Sequence, residues 1–284
     1  MPVAIVSDTC HYLSRELVAT NDIHEVSLYV HWGEETTRES EITDYNAFYQ
    51  RLRTASELPT TSQPSIGDFL AVYEPLLEAG NEIVSVHLAG GMSGTVRSAE
   101  QAREQLGRFA ERVYVLDSAS ACGGEGLVLL AAAAAARAGA DGRAVSDRAL
   151  RARERLQMWF SIDTLEFLRR GGRIGGAQAW LGSTLKIKPI LTVESQITPV
   201  ERVRTSRRAF ERMVDLLRER ARDGADAWII QHIQAPAEAE QLVERGRELF
   251  NNEPVTVSEI GPVIGAHVGP GLLGVGGIPS SFLR

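Results

Sequence analysis

Two short turns concentrate small hydroxyl residues in this 284-residue chain. One reads Pro59-Thr60-Thr61-Ser62-Gln63-Pro64-Ser65, the other Gly90-Gly91-Met92-Ser93-Gly94-Thr95. Each is hemmed in by Pro or Gly where a helix is expected to begin. A helix start offers unpaired backbone N–H groups and partial positive charge, so hydroxyls placed there favour an anion. If both turns face one cleft, they build a carboxylate or phosphate site. Ser and Thr ahead of a helix also serve as plain N-caps, which is their commoner use. The second turn, Gly91-Met92-Ser93-Gly94-Thr95, nearly matches the G-x-S-x-G nucleophile elbow of serine hydrolases. Ser93, a carboxylate such as Asp163 or Asp226, and His267 then follow hydrolase order along the chain. Thr95 replaces the final glycine, and no oxyanion loop is recognisable, so this is the alternative reading.

The elements that must position these turns alternate between strand-like and helix-like patterns. Val3–Val6, Ile23–Tyr29, Glu82–Leu88 and Arg112–Leu116 read as strands, Val3–Val6 apolar throughout as in a parallel sheet. Tyr45, Phe48, Tyr49 and Leu52 recur with helical spacing behind a Thr43 cap. Phe69, Leu70, Tyr73 and Leu77 do so behind a Ser65-x-x-Asp68 capping box, with Pro75 expected to kink the helix. An Ala-rich helix runs from Gly126 to Arg137 and closes at Gly139. This alternation predicts an α/β fold whose first half is a doubly wound, mostly parallel sheet.

The second half reads as an α+β unit. Polar, Arg-rich residues 141–155 with Gly142 as a hinge put the boundary near 150, giving domains 1–150 and 151–284. Strands are expected at Met158–Ile162, Lys186–Val193, Thr198–Thr205, Ala227–His232 and Val255–Ile260. A helical turn is expected over Ser161–Arg170, and helices over Ser206–Arg222 and Ala235–Phe250. Together they predict a mixed sheet covered on one face. Gly171-Gly172-Arg173-Ile174-Gly175-Gly176 follows a helix rather than a strand, so it is a tight turn and not a dinucleotide fingerprint. Asp8 and Asp117 end apolar strands at the sheet edge where ligand crevices form, and capping is an equal explanation.

Composition narrows the function. Hydrophobic residues are 44% and charged residues 24%, enough for a sizeable core. A net charge of −7 argues against nucleic acid. Two cysteines, Cys10 and Cys122, lack CxxC spacing and read as reduced thiols in a cytoplasmic protein. No basic leader opens Met1–Val6, and the apolar run 127–136 is half the ~20 residues that span a bilayer. Six histidines and two cysteines show no metal-ligand spacing. Neither a metal nor another cofactor is expected.

The ordered series Val6-Ser7-Asp8-Thr9-Cys10, Thr61-Ser62-Gln63-Pro64-Ser65, Ser93-Gly94-Thr95, Leu116-Asp117-Ser118, Leu165 to Ile174, Lys186 to Leu191 and His267-Val268-Gly269-Pro270-Gly271 resembles the DegV family over nearly the whole chain. The resemblance implies a two-domain protein that buries one long-chain fatty acid between its domains. It implies a binding subunit without activity of its own, presenting the carboxylate to a separate ATP-using fatty acid kinase that forms an acyl phosphate. It places Thr61, Ser62, Ser93, Gly94 and His267 at the carboxylate, and Arg170, Arg173, Arg202 and Arg204 toward the partner or a phosphate. By default the arginines near Arg202 would be a solvated face. Transient contact with a membrane surface is compatible with the role. Ala89-Gly90-Gly91-Met92 departs from a usually more hydroxyl-rich turn, and Met92 is flexible enough to reshape the head of a tunnel.

Overall fold

The computed structural model describes residues 1–181 and 187–284. In the first lobe, β1 (Val3–Asp8), β2 (Ile23–Val26), β6 (Glu82–His87) and β7 (Val113–Asp117) form an all-parallel sheet ordered β2-β1-β6-β7. Strand side chains alternate between faces. Accordingly Val6 and Ile83 pack with Phe69, Tyr73 and Ala99 of α3 (Ile66–Glu78) and α4 (Thr95–Gln105). Their neighbours Ile5, Val84 and Val86 pack with α5 (Cys122–Arg137) and α6 (Gly142–Arg155). The capping box at Ser65 and Asp68 is formed, and Pro75 is accommodated inside α3.

Four local expectations are corrected. The run Ile23–Tyr29 is not one strand: it breaks after Val26, and Tyr29 opens β3 (Tyr29–Trp32) of a separate antiparallel sheet. That small sheet is ordered β4-β3-β5, with β4 (Glu35–Arg38) and β5 (Thr60–Ser62). Thr60–Ser62 is therefore a strand paired with Tyr29–His31 rather than a helix start, because the helix waits for Ser65 beyond Pro64. Asp44, not Thr43, caps α2 (Tyr45–Thr54). Gly142 is no hinge: Asp141 caps α6, and residue 142 lies against Tyr114, where a Cβ would sit 2.4 Å from the ring. Residue 150 falls within α6, which runs to Arg155, and Ala152 of that helix packs with Ala227 and Ile229 of the second lobe.

The second lobe is a six-stranded mixed sheet of β8 (Gln157–Ser161), β9 (Lys188–Glu194), β10 (Gln196–Val203), β11 (Ala227–His232), β12 (Thr256–Glu259) and β13 (Leu273–Ile278). Its order is β10-β9-β8-β13-β11-β12. The expected start of β9 at Lys186 lies outside the described residues. Helices α8 (Ser206–Arg222) and α9 (Pro236–Phe250) cover the outer face with Met213, Leu217 and Leu242 against Ile190, Ile230 and Val275. The inner face is covered too, contrary to expectation: Ile229 and Ile278 pack on Leu127 and Ala131 of α5. Periodicity reveals that a strand has an apolar face but not which distant helix will meet it. Short helices α7 (Glu166–Arg170) and α10 (Pro262–Val268) complete the junction between lobes. Helix α1 (Arg15–Thr20) flanks β2. Among the described residues no helix is long and apolar enough to cross a membrane.

Candidate functional site

A cavity of about 300 Å³ lies where the lobes meet, at the lower end of the range for small-molecule sites. Leu28, Leu88, Phe160, Leu168, Val263 and Leu272 supply apolar wall, and Thr61, Ser62, Ser93, Arg173 and His267 supply polar lining. The two hydroxyl segments do face one cleft. Gln63 joins them: its Nε2 donates to Ser98 Oγ of α4 at 2.8 Å. Its Oε1 lies so near Gly94 that a Cβ there would be 2.0 Å away. Gly94 thus acts by its lack of a side chain and is not itself part of the lining.

Thr61 and His267, 206 residues apart, meet at 2.7 Å between Oγ1 and Nε2. Burial, helped by the nearby positive charge of Arg173, pushes the His267 pKa down to about 4, so the imidazole is neutral at pH 7. With the proton on Nε2, His267 donates to Thr61, and the Thr61 hydroxyl is then free to donate to an anion. Nδ1 is buried with no hydrogen-bond partner among the described residues and abuts Gly171, where a Cβ would lie 2.2 Å from it. Ser93 Oγ lies 2.8 Å from Thr95 Oγ1 and accepts from Thr95 N at 3.3 Å. Asp117 holds this turn by accepting from Gly90 N at 3.1 Å and Ala119 N at 2.7 Å. The Asp8 carboxylate accepts from Cys10 N and Leu88 N and contacts His87, so both strand-end aspartates brace loops rather than face the cavity. Ser62 lines the cavity but also contacts His31 Nε2 at 2.7 Å.

The arginines separate. Arg173 reaches the cavity mouth, donating to Met92 O at 3.3 Å and Gly171 O at 2.7 Å. Arg170 instead pairs with Glu166, outside the lining. Hydrogen bonds from Arg169 and Arg170 hold the Glu166 carboxyl down at about 2. Arg202 lies 5.3 Å from the Trp180 ring centre. Arg204 is exposed, with no ion pair among the described residues. The hydrolase relay is not assembled: Ser93 pairs with Thr95 and His267 with Thr61. Asp163 pairs with Lys188, and Asp226 accepts from Ser280.

Sequence reasoning missed Glu39. This fully buried carboxyl accepts from Thr9 Oγ1 (2.6 Å), Tyr12 OH (2.7 Å) and Val263 N (2.8 Å), tying the first lobe to the start of α10. Burial raises its pKa to about 7 against those hydrogen bonds. Tyr49 OH donates to Ile260 O at 2.7 Å and lies where a Cβ on Gly265 would intrude. Nothing local marks Glu39, because its partners are distant in the chain. Among the described residues no cluster of three or more His, Cys, Asp or Glu could hold a metal ion.

Comparison with known proteins fits this geometry. A family model described as "Uncharacterised protein, DegV family" matches residues 2–280. The chain is 36% identical to Protein DegV of Bacillus subtilis over 279 residues, covering 97% of this chain and 98% of that one. A solved structure titled as fatty acid binding of a DegV family protein from Thermus thermophilus superposes with a TM-score of 0.89 at 34% identity, covering 98% of this chain and 100% of that one. The structure of DegV from Bacillus subtilis, titled a fatty acid binding protein, also gives 0.89 at 34%, covering 98% and 99%. With the match unbroken from the first strand to the last, and the fold shared throughout, the chain belongs to the DegV family.

Proposed function

We propose that this protein binds one long-chain fatty acid between two domains, approximately 1–150 and 151–284, and presents its carboxylate to a separate ATP-dependent kinase. The observation that carries the reading is the mostly apolar cavity with Thr61, Ser93 and His267 among its few polar groups. Such a site suits a long apolar chain with a single anionic head. A neutral His267 relaying through Thr61 binds the carboxylate without an arginine clamp, which leaves it available to accept a phosphoryl group. Arg173 at the mouth and the exposed Arg202 and Arg204 are the groups proposed to meet the partner or a phosphate. Arg170 is proposed to do so only by exchanging its Glu166 pair. The protein is proposed to act in the cytoplasm, with transient contact at a membrane surface.

The protein is expected to purify with a fatty acid of roughly C14 to C18 bound, since each buried CH₂ contributes ~0.8 kcal/mol. Mass spectrometry of an organic extract checks this. Absence of lipid, together with no uptake of added palmitate or oleate, overturns the proposal.

A second expectation concerns the partner. The sequence has no GxxxxGK[ST] loop, so alone it should form no acyl phosphate from ATP and palmitate, whereas the kinase subunit of the same organism should restore formation. Arg202→Glu or Arg204→Glu should lower that coupled rate and leave palmitate affinity unchanged. Unchanged rates for both variants would make these arginines a solvated face.

A further inference from the structure

We infer that Gly274 sets the longest acyl chain the cavity accepts, which rests on the fatty-acid reading above. Val263, Ile264, His267 and Val268 share the cavity-facing side of α10, so the cavity follows that helix back from His267 toward Ile260. Ile260 N donates to His232 O at 2.8 Å, which brings the far stretch of the cavity onto the inner face of the mixed sheet. Two rungs of that sheet lie there. The first is Phe160–Gly274–Gln231, and the second, one side-chain repeat further from α7, is Met158–Gly276–Ile229. Phe160, Gln231, Met158 and Ile229 all line the cavity, and of the two glycines only Gly274 does.

The two glycines differ in what surrounds them. A Cβ on Gly276 would lie 2.8 Å from Met158 Cβ and 2.9 Å from Gln157 O, so close strand packing accounts for that glycine. A Cβ on Gly274 would meet nothing nearer than Gln231 O and Leu272 Cδ2, each at 3.7 Å, which is ordinary contact. Neither backbone crowding nor a positive φ explains Gly274. What it leaves is room for a side chain on the cavity side of a central strand. Both polar atoms of the Gln231 amide beside it are already engaged, the oxygen accepting from Gly123 N and the nitrogen donating to Ser258 Oγ. The chain therefore crosses the sheet over Gly274, and its methyl end rests on the Met158–Ile229 rung. The ligand class is a straight long-chain acid, and a side chain at position 274 converts the site to a medium-chain one.

The test uses lipid-free full-length protein titrated calorimetrically with decanoate, laurate and palmitate, comparing wild type with Gly274→Ala and Gly274→Leu. A leucine side chain displaces about three to four methylenes, each worth about fourfold in affinity. Palmitate affinity should fall about 60–250-fold in Gly274→Leu, laurate or decanoate should be retained within about threefold, and Gly274→Ala should be intermediate. Palmitate bound as in wild type, or equal loss at every length with an unchanged melting temperature, overturns the inference. If the leucine variant does not fold, the alanine variant decides by the same length dependence. Wild type that binds none of the three acids fails differently: it removes the fatty-acid reading itself.

Discussion

Ser93→Ala should weaken palmitate binding ~10–150-fold, because it removes a hydroxyl donor to an ionised group worth ~1.5–3 kcal/mol. Thr61→Val keeps the shape of Thr61 but removes both the donor and the link to His267 Nε2. Its effect should be at least as large. The double variant should lose less than the sum, since groups serving one anion are coupled. A purely local role for either hydroxyl leads elsewhere. Ser93 Oγ accepts from Thr95 N, so a capping role would lower lipid-free stability by about 1 kcal/mol and leave affinity per folded molecule untouched. Melting temperature with and without palmitate, measured beside affinity, separates the two. Wild-type affinity in both variants would put the carboxylate elsewhere.

The opposite pH responses of Glu39 and His267 should be separable by mutation in lipid-free protein. Glu39 has its folded pKa raised from 4.5 to about 7. Folding therefore favours its protonated form, and the stabilisation this gives at low pH is lost as pH rises from 4.5 through 7. His267 has its folded pKa lowered from 6.5 to about 4. Folding there favours the neutral form, and stability is lost as pH falls from 6.5 through 4. Each shift corresponds to up to about 3 kcal/mol, so the two nearly cancel in wild type. Relative to wild type, Glu39→Gln should grow less stable as pH falls from 7 to 4.5, and His267→Gln should grow more stable. Urea unfolding across that range checks the signs. Profiles that run parallel to wild type would show that neither group titrates as its burial requires.

Where one stretch of chain carries its own cause, the sequence was a good guide. Ser65 and Asp68 cap each other across three residues. The amphipathic α8 lies at Ser206–Arg222 as its spacing predicts. The parallel sheet followed from apolar runs separated by helical patterns. Where the cause lies elsewhere in the chain, the reading failed. Residues 141–155 look solvated because Arg and Asp dominate, yet Val145, Ala149 and Ala152 form a narrow buried stripe sufficient for a helix. Thr60–Ser62 becomes a strand only because Tyr29–His31 pairs with it. Helix α10 is seven residues long, too short to announce itself, and is held by Tyr12, Tyr49 and Glu39. The two hydroxyl segments were legible by residue type, whereas the meeting of Thr61 with His267 across 206 residues was suggested only by the family resemblance and not by spacing.

The placement of β13 has a consequence for how the chain is made. Residues 273–278 are the last strand in sequence, yet they sit between β8 and β11 with antiparallel pairing on both sides. During synthesis from the N-terminus, the first lobe can close on its own local contacts while the second waits for its middle. Until residues 273–278 leave the ribosome, β8 and β11 each expose an unpaired apolar edge, the kind of template that recruits strands from other chains. His267 and Gly274 also come late in the sequence, so a chain interrupted before them lacks the Thr61–His267 contact and the Gly274 part of the cavity wall. On the proposed reading, palmitate supplied during refolding should act on the insertion of β13 rather than on closure of the first lobe.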